Sequence, residues 1–108
     1  MPKFLVLYCA QGSVREQLSR VSPEQAKAGM DLWMAWSRRV GSALVDMGAP
    51  VGDGTVLGPG TAPTKLGGYN VLQAESLDAA KKLLEGHPHY HTPGGWIEVF
   101  EQVTLPGM

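Results

Sequence analysis

The chain has 108 residues, 44% of them hydrophobic and 18% charged, which is the size of one domain with a single core and too apolar for a disordered segment. Nine Lys and Arg against ten Asp and Glu leave a formal charge of -1, so no long-range positive field exists to gather nucleic acid or anionic lipid, and neither is expected as a partner. One cysteine cannot close an internal disulfide, which makes a reducing cytoplasm the simplest expectation.

Lys3 to Cys9 is an unbroken run of Phe, Leu, Val and Tyr. It is shorter than a signal-peptide core and far below a membrane span, and it predicts a strand buried on both faces. After a polar stretch from Gln11 to Arg20, Ser22-Pro23-Glu24-Gln25 supplies an N-cap hydroxyl, a proline at the first helical position and a Gln placed to close a capping box. From that cap Ala26, Met30, Trp33, Val40, Leu44 and Met47 recur at helical steps, predicting one long helix ended by Gly48. Gly41 inside it costs about 1 kcal/mol relative to Ala, which points to close packing of helix on sheet.

Pro50 to Leu57 predicts at best a short, irregular strand, and the Gly-, Pro- and Thr-rich stretch from Gly52 to Gly68 a long loop. Gly68 to Glu75 predicts a better strand. Ser76 then caps a second helix, with Asp78 in its positive first turn and Leu77, Ala80 and Leu84 on its buried side. Gly86 and Pro88 stop it, and the alternation of Trp96 to Val103 predicts a final strand.

The order β-α-β-β-α-β predicts an α+β fold: a four-stranded antiparallel sheet with two helices on one face, the split βαβ arrangement. In the first strand Phe4, Val6 and Tyr8 point one way and Leu5, Leu7 and Cys9 the other, and the last two strands are apolar on both sides as well. One sheet face is therefore left bare. Apolar burial contributes about 25 cal/mol per Å², so a second copy packed sheet to sheet about a two-fold axis is the expected cover. The alternative is a monomer whose long loop folds across the face.

The segments 66–80 (LGGYNVLQAESLDAA) and 94–103 (GGWIEVFEQV) resemble the YCII-related proteins, in the branch often called DGPF proteins, and 43–52 (ALVDMGAPVG) is similar to the turn that leads into that branch's second strand. The resemblance covers most of the chain and implies a ferredoxin-like βαββαβ sandwich assembled as a dimeric α/β barrel. The DGPF signature itself is replaced by Leu57-Gly58-Pro59-Gly60. YCII proteins proper pair a histidine on the first helix with an aspartate before a proline; here that helix has no histidine and His87 precedes Pro88, so the pair does not transfer. The loop spelled C-P-H in the branch maps onto His87-Pro88-His89. The wider superfamily includes isomerases, cofactor-free oxygenases and haem-degrading enzymes, so the fold does not decide the activity.

Chemistry has three candidate homes. His89 is suited to general acid or base work near neutrality, with Asp78 or Asp31 to orient it; each aspartate has a rival role as an ordinary helix charge. Trp36, Tyr8 and His87, with Trp33 nearby, can line a pocket for a flat ligand, although aromatics at helical spacing also build cores. His87, His89 and His91 would project from one side of an extended segment and suit zinc, nickel or copper, but Pro88 disturbs the alternation and no adjacent Cys or carboxylate completes a shell, so no metal is assigned. Cys9 reads as an inert packed thiol, and the glycines of 52–60 lack the Lys and helix of a phosphate loop. The expectation is a cofactor-free homodimeric enzyme moving a proton on a small organic molecule, with a non-catalytic ligand-binding or protein-interaction module as the alternative.

Overall fold

A computed structural model describes residues 1–12, 14–60 and 65–107. Its strands are β1 (Lys3–Cys9), β2 (Leu44–Pro50), β3 (Leu66–Gln73) and β4 (Trp96–Glu101), and its helices α1 (Val14–Ser19), α2 (Pro23–Val40) and α3 (Leu77–Leu83). The strands form one sheet in the order β2-β3-β1-β4, every adjacent pair antiparallel. This is the ferredoxin-like order. β1 takes the centre because its two sets of side chains are both apolar.

Register decides which residues share a face. Phe4 lies opposite Leu72 and Val6 opposite Asn70 and Val99, and this set meets the helices. Phe4, Val6 and Leu72 are fully buried there against Trp36, Val40, Ala80 and Leu84. On the other face Leu5 lies between Val71 and Phe100, and Leu7 between Tyr69 and Glu98.

Helix α2 begins as expected: Ser22 Oγ accepts from the Gln25 backbone, and the Gln25 side chain accepts from the Ser22 N–H. It ends seven residues earlier than the apolar spacing suggests. Gly41 adopts φ +56 and its N–H bonds the Ser37 carbonyl, closing the helix; a Cβ there would meet nothing within 4 Å, so Gly41 serves the turn and not close packing. Leu44 and Met47 belong to β2, whose glycine, Gly48, bulges at φ +66 against the Tyr69 carbonyl. The expected strand from Pro50 to Leu57 is irregular beyond Pro50, and of the expected loop residues 61–64 lie outside the described residues.

Three smaller differences follow from local chemistry. The polar stretch before Ser22 contains α1, a single short helix the apolar pattern does not mark. Met30 is 61% exposed, because only the last two turns of α2 overlie the sheet. Leu77 is exposed, while Ala80 and Leu84 are buried as expected. At the far end of the pair, Trp36 Nε1 donates to the Leu83 carbonyl at 2.9 Å, and Arg39 Nη2 donates to the carbonyls of Leu83 at 3.2 Å and Glu85 at 2.7 Å. Those bonds satisfy carbonyls at the end of α3 that have no partner within the helix.

Candidate functional site

The segment after α3 is not extended. Pro88–His91 forms a 3-10 turn that His87 caps: its Nδ1 accepts from the His89 backbone N–H at 2.9 Å, while Pro88 supplies the preset φ of the first helical position. The turn ends the expected one-sided array of imidazoles. His87 is fully buried, His89 is 9% exposed, and His91 is exposed.

His87 sits in an aromatic box. Its ring stacks on Tyr8 with centroids 4.8 Å apart and meets Trp33 and Trp36 edge to face at 4.4 and 4.5 Å. The walls come from two elements: Tyr8 from the helix-facing side of β1, and the tryptophans from consecutive turns of α2. Burial, with smaller effects from His89 and Arg39, lowers the His87 pKa to about 3. The ring is thus neutral, and because Nδ1 accepts, the proton is on Nε2. That atom has no hydrogen-bond partner among the described residues.

Tyr8 carries the box to a second polar group. Asn70, 1% exposed on β3, donates from Nδ2 to the Tyr8 hydroxyl at 2.8 Å. Burial pushes the Tyr8 hydroxyl well above the usual phenol range, against a smaller lowering by that hydrogen bond. The Asn70 carbonyl oxygen is unpartnered. Sequence reading passed over Asn70; a polar residue at a helix-facing strand position, opposite Val6, is the signal that marks it.

His89 approaches Tyr8 edge to face at 5.4 Å, and its Nε2 lies 2.8 Å from the Cys9 carbonyl oxygen. A carbonyl only accepts, so Nε2 carries the proton and a neutral His89 keeps its lone pair on Nδ1. The structure therefore brings Tyr8, Trp36, His87 and His89 into one packed cluster, which Trp33 and Asn70 join. Asp78 and Asp31 are exposed, on α3 and α2, and neither hydrogen-bonds a histidine among the described residues.

On the opposite sheet face, Glu98 Oε2 accepts from Trp96 Nε1 at 2.8 Å and from the Cys9 thiol at 3.8 Å. Burial and the Glu98 charge raise the thiol's pKa, which keeps Cys9 protonated and unreactive. Among the described residues no three His, Cys, Asp or Glu side chains are placed to hold a metal ion, and no helix is long and apolar enough to cross a membrane.

No family model and no curated protein matches the chain. Among solved structures, 5-chloro-2-hydroxyhydroquinone dehydrochlorinase (TftG) from Burkholderia phenoliruptrix AC1100, in complex with 2,5-dihydroxybenzoquinone, aligns over 99% of this chain and 96% of its own, with a TM-score of 0.54 and 16% identity. That likeness shows the fold, the same ferredoxin-like α+β sandwich.

Proposed function

We propose that this chain is a YCII-like, cofactor-free acid–base enzyme that works as a homodimer on a small organic molecule. His89 is the proton carrier, and Tyr8, Trp36 and His87 form the binding wall. The observation that carries this reading is the 2.8 Å contact between His89 Nε2 and the Cys9 carbonyl. It fixes the tautomer from outside the box and leaves Nδ1 free to take a proton from a substrate and return it to a neighbouring atom, a net shift that needs no oxidant or metal. The carbonyl does the orienting that Asp78 was expected to do; Asp78 fits better as a charge complementing the first turn of α3.

Two further facts support the reading. TftG, a dehydrochlorinase seen in complex with 2,5-dihydroxybenzoquinone, is built on the same fold. The helix-free sheet face presents Leu5, Leu7, Tyr69, Val71, Trp96 and Phe100 with Glu98 among them, an apolar surface suited to a second copy. The rival, a non-catalytic ligand-binding module, draws on the box itself: burial keeps Tyr8 protonated and His87 neutral, so neither titrates near neutral pH.

A thermal-shift screen of small planar metabolites, followed by turnover and binding assays of His89→Ala on each hit, separates the two. Lost turnover with retained binding supports the enzyme. Turnover that survives the substitution removes it.

A further inference from the structure

His89 Nε2 has a close neighbour besides the Cys9 carbonyl oxygen at 2.8 Å. A Cβ on Gly95 would come within 3.2 Å of that nitrogen, and within 3.0 Å of both the Cβ and the carbonyl oxygen of Thr92. These approaches are tighter than ordinary van der Waals packing. Two consecutive turns bring Gly95 there: Thr92 N–H donates to the His89 carbonyl at 3.0 Å, and Gly95 N–H donates to the Thr92 carbonyl at 2.9 Å. The next residue, Trp96, opens β4 and pairs with Cys9. Gly95 thus joins the turn that carries His89 to the strand that flanks the carbonyl holding it.

The two adjacent glycines answer different demands. Gly94 has φ +69, a backbone conformation that favours glycine whatever the space around it. Gly95 is not among the glycines of positive φ, so its backbone makes no such demand. What excludes a side chain at Gly95 is the approach of Thr92 and of the His89 ring.

We infer that Gly95 is a positioning residue for His89: its missing side chain lets the ring seat Nε2–H on the Cys9 carbonyl, and that bond keeps the proton off Nδ1. The purpose of the arrangement rests on the reading of His89 as the proton carrier; the fit itself does not. An alanine methyl has to displace either the ring or the Thr92 peptide. That peptide is bonded to the His89 carbonyl through its neighbouring N–H, so its shift is passed to the His89 backbone. Either response draws Nε2 off its acceptor, and a hydrogen bond weakens steeply as its geometry degrades.

The test is 1H–15N NMR of the histidine side chains in the intact protein at pH 8.5, above the ordinary histidine range. The His89 signal is identified by its absence in His89→Gln. In the wild type the His89 Nε2–H should be observed directly and protected from exchange with water. In Gly95→Ala it should exchange at least about tenfold faster, while the Nε2–H of buried His87 stays unchanged and reports that the core is folded. Gly94→Ala strains the backbone, but its Cβ would have Gln11 as its nearest neighbour, so the His89 signal should survive. If Gly95→Ala does not fold, combining it with Thr92→Gly removes the threonine Cβ from the clash and retains the methyl against Nε2.

An unprotected His89 Nε2–H in the wild type, wild-type exchange in the folded Gly95→Ala protein, or an equal loss in Gly94→Ala each overturns the inference. Wild-type exchange in Gly95→Ala beside lost turnover in His89→Ala overturns it and spares the acid–base reading. A loosened His89 proton in Gly95→Ala beside turnover that survives His89→Ala does the reverse.

Discussion

The backbone N–H of His89 donates to Nδ1 of His87 at 2.9 Å, and this one bond makes His87 a cap, fixes its tautomer and requires it to be neutral. A protonated ring would place an N–H against an N–H in a box of aromatic faces. Burial lowers the His87 pKa to about 3, below its unfolded value of about 6.5. The unfolded chain then binds more protons between those limits. The stabilisation is complete above about pH 6.5 and is lost progressively as pH falls toward 3.

Denaturant unfolding at pH 7 and pH 4.5 should accordingly show the wild type losing about 2–3 kcal/mol more than His87→Phe, since each unit of pKa difference is worth about 1.4 kcal/mol. The comparison cancels the carboxylates common to both proteins. Parallel losses in the two would mean that His87 is not held neutral by the fold.

The fold was largely legible because its strands and caps are local signals: the apolar alternation of Lys3 to Cys9, the Ser22 capping box and the Ser76 cap all stand where expected. The end of α2 was not legible. Leu44 and Met47 continue the helical stripe by coincidence of spacing, and Gly41 and Gly48 are both plausible stops until the sheet selects one. The site was half legible. Tyr8, Trp36, His87 and His89 do converge, but the turn that buries His87 depends on the box formed by β1 and α2, which lie far away in sequence. Asn70 was missed because its significance depends on a diagonal strand neighbour, Tyr8.

Gly41 and Gly48 share positive φ and differ in surroundings, so alanine separates the two costs. At Gly41 a Cβ meets nothing within 4 Å, and Gly41→Ala should cost only the backbone strain of its φ +56, ψ −127 conformation, about 1–3 kcal/mol. At Gly48 the added carbon would fall inside the Tyr69 carbonyl oxygen, and Gly48→Ala should cost at least about 3 kcal/mol or prevent folding. Equilibrium unfolding of both variants checks the ranking, and equal losses would contradict the bulge.

His89→Gln distinguishes orientation from chemistry. The glutamine amide can still donate to the Cys9 carbonyl, so stability should stay within about 1 kcal/mol of wild type. It cannot exchange protons, and turnover of a screened substrate should fall by about a hundredfold or more. A stable His89→Gln protein with full activity would show that the proton carrier lies elsewhere.

Phe100 is 51% exposed on β4, opposite Leu5 on the face without helices. An arginine there has room in an isolated subunit, so the folded chain should lose less than about 1 kcal/mol. Between two sheets the same side chain would bury an unpaired cation, which costs far more than the apolar contact it replaces. Phe100→Arg should therefore sediment as a particle of 11.6 kDa while the wild type sediments at twice that mass. A wild type that is already monomeric at micromolar concentration removes the dimer, because the apolar face would then be stable in water without a second copy.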